Sequence, residues 1–373
     1  MKVLLCTITV GEGVNKICRA VAQELENMGI ENEVFNVYQD CPERAKFVSE
    51  SYYKIVKRIP RLARFFQRRL GRYDRNLLKA KNYKYIKKDV EALRPILDKK
   101  VNEEGFDVIY SPVASVALTA LLLRREGKIN CKIVYNIPDF NIPTYAELCN
   151  DIDAIISPCK EATENLLKSG FDEKQVFEYK IPIDAKFLVQ KDKKAIKDSL
   201  NIPQDKFTVL IMSGGFGFGS NGKILNDFLK YNKNVHFIVV NGRNEEEKNK
   251  IDKYIQDKNL TNVTNIGFCT VVDEMMTAAD VVFTKLGAAT MCESFAKEVL
   301  IITTKQKLYP EFDNMLHLEK RNAILVYNNT NQCAKAIAKL TCGEINYDKL
   351  QDNFKKEFNK NSAKDIAGLI KNI

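Results

Sequence analysis

The sequence predicts an α/β protein made of two Rossmann-like domains facing across a cleft. Three observations lead there. The chain has 373 residues and is 45% hydrophobic, enough for two cores rather than one. Its start reads strand, glycine-bearing turn, helix, strand, which opens a Rossmann-like sheet. Its second half repeats that start: the apolar run Phe207–Met212 enters a glycine-rich loop, and the run Ala279–Thr284 enters a turn of small residues. These features divide the chain into an N-terminal domain over 1–188, a C-terminal domain over 189–345, and a final helix over 346–373.

Composition narrows the function classes. The short apolar run after Met1-Lys2 ends at Thr9 and Gly11, so no signal peptide is expected, and no apolar run has bilayer length. Ten cysteines without CxxC pairs read as reduced thiols of a cytoplasmic protein. With only His236 and His317 present, a His-built metal centre is not expected. The net charge of +10 favours an acidic partner.

In the first half, Lys2–Ile8 reads as a buried parallel strand. The turn Gly11-Glu12-Gly13-Val14-Asn15 follows, then Ile17, Val21, Ala22, Leu25 and Met28 at helical spacing, then the strand Glu33–Tyr38. The dinucleotide fingerprint is incomplete, which disfavours NAD. Lys54–Arg75 holds nine Lys/Arg and one acid. On a helical wheel, Ile55, Ile59, Leu62, Phe66, Leu70 and Tyr73 share one face. Lys57, Arg58, Arg61, Arg64, Arg68, Arg72 and Arg75 fall largely opposite, and Phe65 and Arg69 lie in the same stretch. Such a basic amphipathic helix suits an anionic membrane surface, the alternative being an ordinary surface helix. No aromatic–basic recognition module is present, so no nucleic-acid partner is expected. Strand-like runs at Phe106–Tyr110, Cys131–Tyr135 and Asp153–Ser157 continue the alternation, and the charged stretch 190–197 reads as a linker.

In the second half, Ser213–Gly222 carries four glycines within 214–219, among them Gly214 and Gly217, after a strand and before a helix. That arrangement can cradle a pyrophosphate. The strand Val235–Val240 leads to Asn241-Gly242-Arg243-Asn244, and Val263–Ile266 leads to Gly267-Phe268-Cys269. At Lys285–Glu293 the small residues Gly287, Ala288, Ala289 and Thr290 let backbone N–H groups approach a ligand, and the helix behind them favours an anion. Glu293, about two turns in, is within reach of a sugar hydroxyl on that ligand. The alternative reading of those small residues is tight packing alone.

Gly287, Thr290 and Glu293 fit a Gly-small-small-Thr-x-x-Glu run. The stretch resembles the donor-binding segment of GT-B glycosyltransferases, in the family 28-like group that holds the peptidoglycan N-acetylglucosaminyltransferase and the diacylglycerol glycosyltransferases. The resemblance covers nearly the whole chain and is strongest from Gly214 to Asn314. It implies that Ala288–Thr290 and the glycine loop bind the phosphates of a UDP-sugar, that Glu293 binds the ribose, and that Arg243 and Asn244 lie near the nucleotide. It further implies that the backbone at Phe268 and Cys269 reads uracil, and that Glu311 and Asn314 contact the donor sugar. Gly11, Gly13 and Asn15 match the acceptor loop, and the basic stretch matches in kind and position a segment that meets the membrane.

Three histidines of that group are missing. Val14, Ser111 and Pro143 stand in their places. Asp139 and Glu12 are therefore the candidate catalytic bases, Asp139 preferred.

The resemblance thus implies a GT-B enzyme, cytoplasmic and peripheral on the inner face of the cell membrane. It would transfer a hexose with inversion from a UDP-sugar to a lipid, diacylglycerol first, with no cofactor or metal. A polyprenyl-linked or other cell-envelope acceptor is the alternative within the fold. A UDP-sugar-binding protein that has lost catalysis is the alternative outside it, motivated by the three absent histidines.

Overall fold

The computed structural model describes residues 1–8, 12–39, 41, 83–140, 150–212, 220–307 and 310–373. They form two compact units, one of residues 1–184 with 307–313 and 359–373, the other of residues 185–306 with 314–358. The expected basic helix, with Arg61, Arg64, Phe65, Phe66, Arg68, Arg69 and Arg72, lies outside the described residues, as do Gly11, Gly214 and Gly217.

The first unit holds a six-stranded sheet of β1 (Lys2–Thr7), β2 (Glu31–Asn36), β3 (Val108–Ser111), β4 (Lys132–Asn136), β5 (Ala154–Ser157) and β6 (Val176–Glu178). The strand order is β2-β1-β3-β4-β5-β6, every pair parallel. Its central strands are short uninterrupted apolar runs: Val3, Leu4, Leu5 and Cys6 are all fully buried, as expected when both faces are covered. Helices α1 (Glu12–Asn27), α2 (Tyr83–Glu104), α3 (Ala114–Arg125) and α4 (Lys160–Lys168) connect them. Leu93, Leu97 and Val101 of α2 pack with Val116, Ala117, Ala120 and Leu121 of α3 in the unit's core.

The second unit holds β7 (Thr208–Met212), β8 (His236–Val240), β9 (Val263–Ile266), β10 (Val281–Phe283), β11 (Leu300–Thr304) and β12 (Leu325–Tyr327). Its order is β12-β11-β10-β7-β8-β9, again all parallel. Counted within the unit this is the 3-2-1-4-5-6 order of nucleotide-binding sheets, whose direction reverses between β7 and β10. Helices α5 (Lys193–Ser199), α6 (Asn221–Leu229), α7 (Glu245–Lys258), α8 (Val272–Ala278), α9 (Ala288–Ala296), α10 (Glu311–Lys320), α11 (Thr330–Thr341), α12 (Tyr347–Lys355) and α13 (Ser362–Asn372) complete the chain, α13 belonging to the first unit. Helix starts follow side-chain caps: Asn244 accepts from Glu247 N–H at 3.1 Å and Asn329 from Gln332 N–H at 3.0 Å.

The single final helix expected over 346–373 is two helices. Asn359 breaks it, because its side-chain oxygen accepts from Asn361 N–H at 2.9 Å and its carbonyl accepts from the Ser362 hydroxyl at 2.9 Å. After the break, α13 packs along α1.

Candidate functional site

In open parallel sheets, ligands sit beyond the carboxyl ends of the strands where the order reverses. In the second unit that point lies past Met212 and Phe283, and Phe283 pairs in register with Ile211. Underneath, Phe228 meets Phe283 edge-on at 5.3 Å between ring centroids, which fixes the strand ends on a packed aromatic base.

The loop leaving β10 is held by its carbonyls. Thr284 O accepts from the Thr303 hydroxyl at 2.7 Å. Lys285 O accepts from the Thr284 hydroxyl at 3.2 Å and from Gly287 N–H at 3.0 Å. Leu286 O accepts from the Asn314 amide at 3.0 Å, and Asn314 is fully buried. All three carbonyls are engaged within the protein, so the chain enters α9 with its N–H groups leading. The first bond of the helix is Met291 N–H to Gly287 O at 3.1 Å, leaving the amides of Ala288, Ala289 and Thr290 ahead of it. Gly287 has φ −73°, open to any residue, and a Cβ built there meets nothing within 4 Å among the described residues. The glycine is not required by backbone strain; it keeps the space before the helix clear.

The start of α6 differs. Gly222 N–H donates to the Glu247 carboxylate at 2.9 Å, and Glu247 belongs to the first turn of α7. A carboxylate already meets that helix end, so among the described residues α9 is the open one of the two.

Of the remaining donor-side candidates, Arg243, Asn244, Phe268 and Cys269 follow strands β8 and β9, and Glu293, Glu311 and Asn314 lie on helices. The Arg243 guanidinium lies over the Phe268 ring at 5.2 Å, and Phe268 is 55% exposed, an unusual state for a large aromatic side chain. Cys269 beside it is half-buried, and burial pushes its thiol pKa up. Asn244 caps α7. Glu293 is 1% exposed inside α9. Glu311 opens α10, and Asn314, one turn on, holds the loop at Leu286.

In the first unit the strand order reverses between β1 and β3. Glu12, Gly13, Val14 and Asn15 form the first turn of α1. Glu12 is exposed and paired with Arg19 at 3.3 Å. The side-chain oxygen of Asn15 is buried with no hydrogen-bond partner among the described residues. Ser111, in the place of a missing histidine, donates to Cys6 O at 3.1 Å and accepts from Val113 N–H at 3.1 Å, so it shapes the turn after β3. Asp139 is half-buried three residues beyond the end of β4. A half-buried carboxylate at a strand's carboxyl edge suits proton transfer better than an exposed one held by an arginine.

Sequence reasoning did not single out Thr284, Thr303, Asn221, Asn265, Asp252 or Glu247. Thr284 and Thr303 are signalled only by polarity at the end of buried apolar runs, whereas Asn221, Glu247 and Asp252 lie on helices and Asn265 within β9, with no such signal.

Residues 208–370 match the glycosyltransferase family 28 C-terminal domain. The processive diacylglycerol beta-glucosyltransferase of Bacillus licheniformis is 27% identical over 98% of this chain and 93% of its own. Among solved structures, UDP-GlcNAc 2-epimerase of Neisseria meningitidis bound to UDP-GlcNAc superposes with a TM-score of 0.63 at 14% identity, over 100% of both chains. HepE of Anabaena in complex with UDP does so with a TM-score of 0.60 at 12% identity, again over 100% of both chains. These two show a shared fold, two parallel six-stranded α/β units of the GT-B type. Residues 208–370 are thus similar to the glycosyltransferase family 28 C-terminal domain, the fold is of the GT-B type, and along its length the chain is similar to the processive diacylglycerol β-glucosyltransferases.

Proposed function

We propose that this glycosyltransferase moves a hexose from a UDP-sugar to a membrane lipid, diacylglycerol being the first acceptor to test. The observation that carries the donor half is the loop Thr284–Gly287, whose three carbonyls are engaged while the amides of Ala288, Ala289 and Thr290 precede the first helical bond and a Cβ on Gly287 meets nothing within 4 Å among the described residues. That end suits a diphosphate. The Arg243–Phe268 pair supplies a cation and an exposed aromatic ring for the rest of the nucleotide.

The reaction is a single inverting displacement. Asp139 takes the proton of the acceptor hydroxyl, and the oxygen attacks the anomeric carbon. The bond from that carbon to the diphosphate breaks, and UDP leaves with the electron pair. The α9 amides and Arg243 stabilise the charge on the leaving group, an electrostatic role that needs no proton transfer. The lipid acceptor rests on the similarity to diacylglycerol β-glucosyltransferases and on the basic stretch Lys54–Arg75. No described helix is long and apolar enough to cross a membrane.

Val14 in the place of a histidine, next to Glu12 held by Arg19, favours one second reading: a UDP-sugar-binding protein without turnover.

The deciding experiment is UDP release from UDP-glucose, UDP-galactose and UDP-N-acetylglucosamine on anionic liposomes with and without diacylglycerol. Release that depends on diacylglycerol supports the transferase and identifies the sugar. UDP binding with no release on any acceptor supports the second reading, and no UDP binding sinks both.

A further inference from the structure

Behind the donor-side residues runs a one-directional chain of three amides, two of them buried and the third half-buried. Asn221, the first residue of α6 and 1% exposed, donates its side-chain N–H to Asn241 Oδ1 at 3.0 Å and to Val240 O at 3.2 Å. Asn241, fully buried just past β8, donates to Asn265 Oδ1 at 2.7 Å and to Ile266 O at 3.0 Å. Asn265 donates to Asp252 Oδ1 at 2.7 Å and to Lys248 O at 3.0 Å. The other oxygen of Asp252 is paired with Lys248 Nζ at 2.6 Å.

The direction of the chain is fixed by its end. A carboxylate only accepts, so Asn265 must turn its NH2 toward Asp252 and its oxygen toward Asn241. Asn241 must then turn its NH2 to Asn265 and its oxygen to Asn221. Each bond polarises the next in the same sense. No other orientation of the three amides satisfies the chain.

The chain ties three segments together: the start of α6, the turn carrying Arg243 and the turn carrying Phe268. Asn241 lies two residues before Arg243, and Asn265 three before Phe268. Asn241 also joins the two strand ends through its own N–H, which donates to Ile266 O at 2.9 Å. Being fully buried, it cannot itself touch a nucleotide.

We propose that Asn241 is a positioning residue for nucleotide binding, which sets the Arg243 guanidinium over the Phe268 ring through its paired bonds to Asn265 and Ile266. This rests on the UDP-sugar reading above.

The test is a double-variant cycle on UDP affinity, measured by titration calorimetry on the full chain. Phe268→Ala is expected to weaken UDP, and Asn241→Ala to weaken it about tenfold through the lost positioning of Arg243 and Phe268. In the Phe268→Ala background, Asn241→Ala is expected to change the affinity less than about twofold, because its target is gone. A merely structural Asn241 weakens UDP equally in both backgrounds, and that additivity overturns the proposal. Unchanged UDP affinity in either single variant also overturns it. Should Asn241→Ala not fold, Asn265→Ala enters the same cycle with the same expected non-additivity and the same overturning result. Absence of UDP binding by the unaltered protein defeats the donor reading and this proposal together, whereas binding with additive effects defeats this proposal alone.

Discussion

The buried amide of Asn314 donates to the carbonyl of Leu286 at 3.0 Å, and that bond turns the backbone before α9. Asn314→Leu leaves the fully buried Leu286 without this donor. An unsatisfied buried carbonyl costs about 1–3 kcal/mol. The expected outcome is a lower melting temperature together with weaker UDP binding, read by calorimetry on the same sample. Unchanged UDP affinity in a destabilised variant would show that the loop does not depend on this clamp.

Gly287 separates ligand effects from folding effects. A Cβ there meets nothing within 4 Å among the described residues, and φ is −73°. Gly287 is the N-cap of α9, so Gly287→Val should cost only about 1 kcal/mol of stability, the loss usual for a poor N-cap residue. UDP binding should fall by at least tenfold, since the new side chain fills the space ahead of the α9 amides. Retained affinity in isothermal titration would place the diphosphate elsewhere.

Asp139 and Glu12 are distinguished by rate. Asp139→Asn is expected to lower kcat by about 10²- to 10⁴-fold with little change in donor KM, the usual loss for a general base. Glu12→Gln removes only an exposed contact with Arg19 and should leave kcat within about threefold of the parent, the small effect usual for an exposed ion pair. The reverse ranking in steady-state kinetics would move the base to the α1 turn.

His236 gives the fold an acid sensitivity. Burial, aided by Lys197, pushes its pKa down to about 4, and its ring shares a 2.9 Å hydrogen bond with the Thr264 hydroxyl. The unfolded chain titrates near pH 6.5, so the neutral ring stabilises the fold fully above that pH. This contribution drains away as pH falls toward 4, by up to about 3 kcal/mol. Urea midpoints should drop between pH 7 and pH 4.5, and His236→Gln should flatten that part of the curve. An unchanged slope would assign the acid limb to carboxylates.

The basic stretch is tested on vesicles. Each Lys or Arg near an anionic surface contributes about 1 kcal/mol. Arg61→Gln, Arg64→Gln and Arg68→Gln together should weaken binding to anionic liposomes by roughly a hundredfold. Equal pelleting of parent and triple variant at low salt would make this an ordinary surface stretch.

By itself the sequence determined the layers of this protein. Uninterrupted apolar runs such as Val3–Cys6 and Val209–Ile211 can only be buried parallel strands, and glycine or small residues after β10 mark where backbone can meet an anion. Those signals are local, written within one turn or one strand. The relationships that long-range packing settles are non-local. That packing chose α9 over α6 as the open helix end, because Glu247, 25 residues away from Gly222, folds onto α6. It gave Asn314 to the Leu286 carbonyl, and it joined Asn221, Asn241 and Asn265 from three elements into one chain. A side-chain hydrogen bond across 19 to 28 residues leaves no periodic trace in a sequence. It exists only once packing has buried both partners and made pairing obligatory.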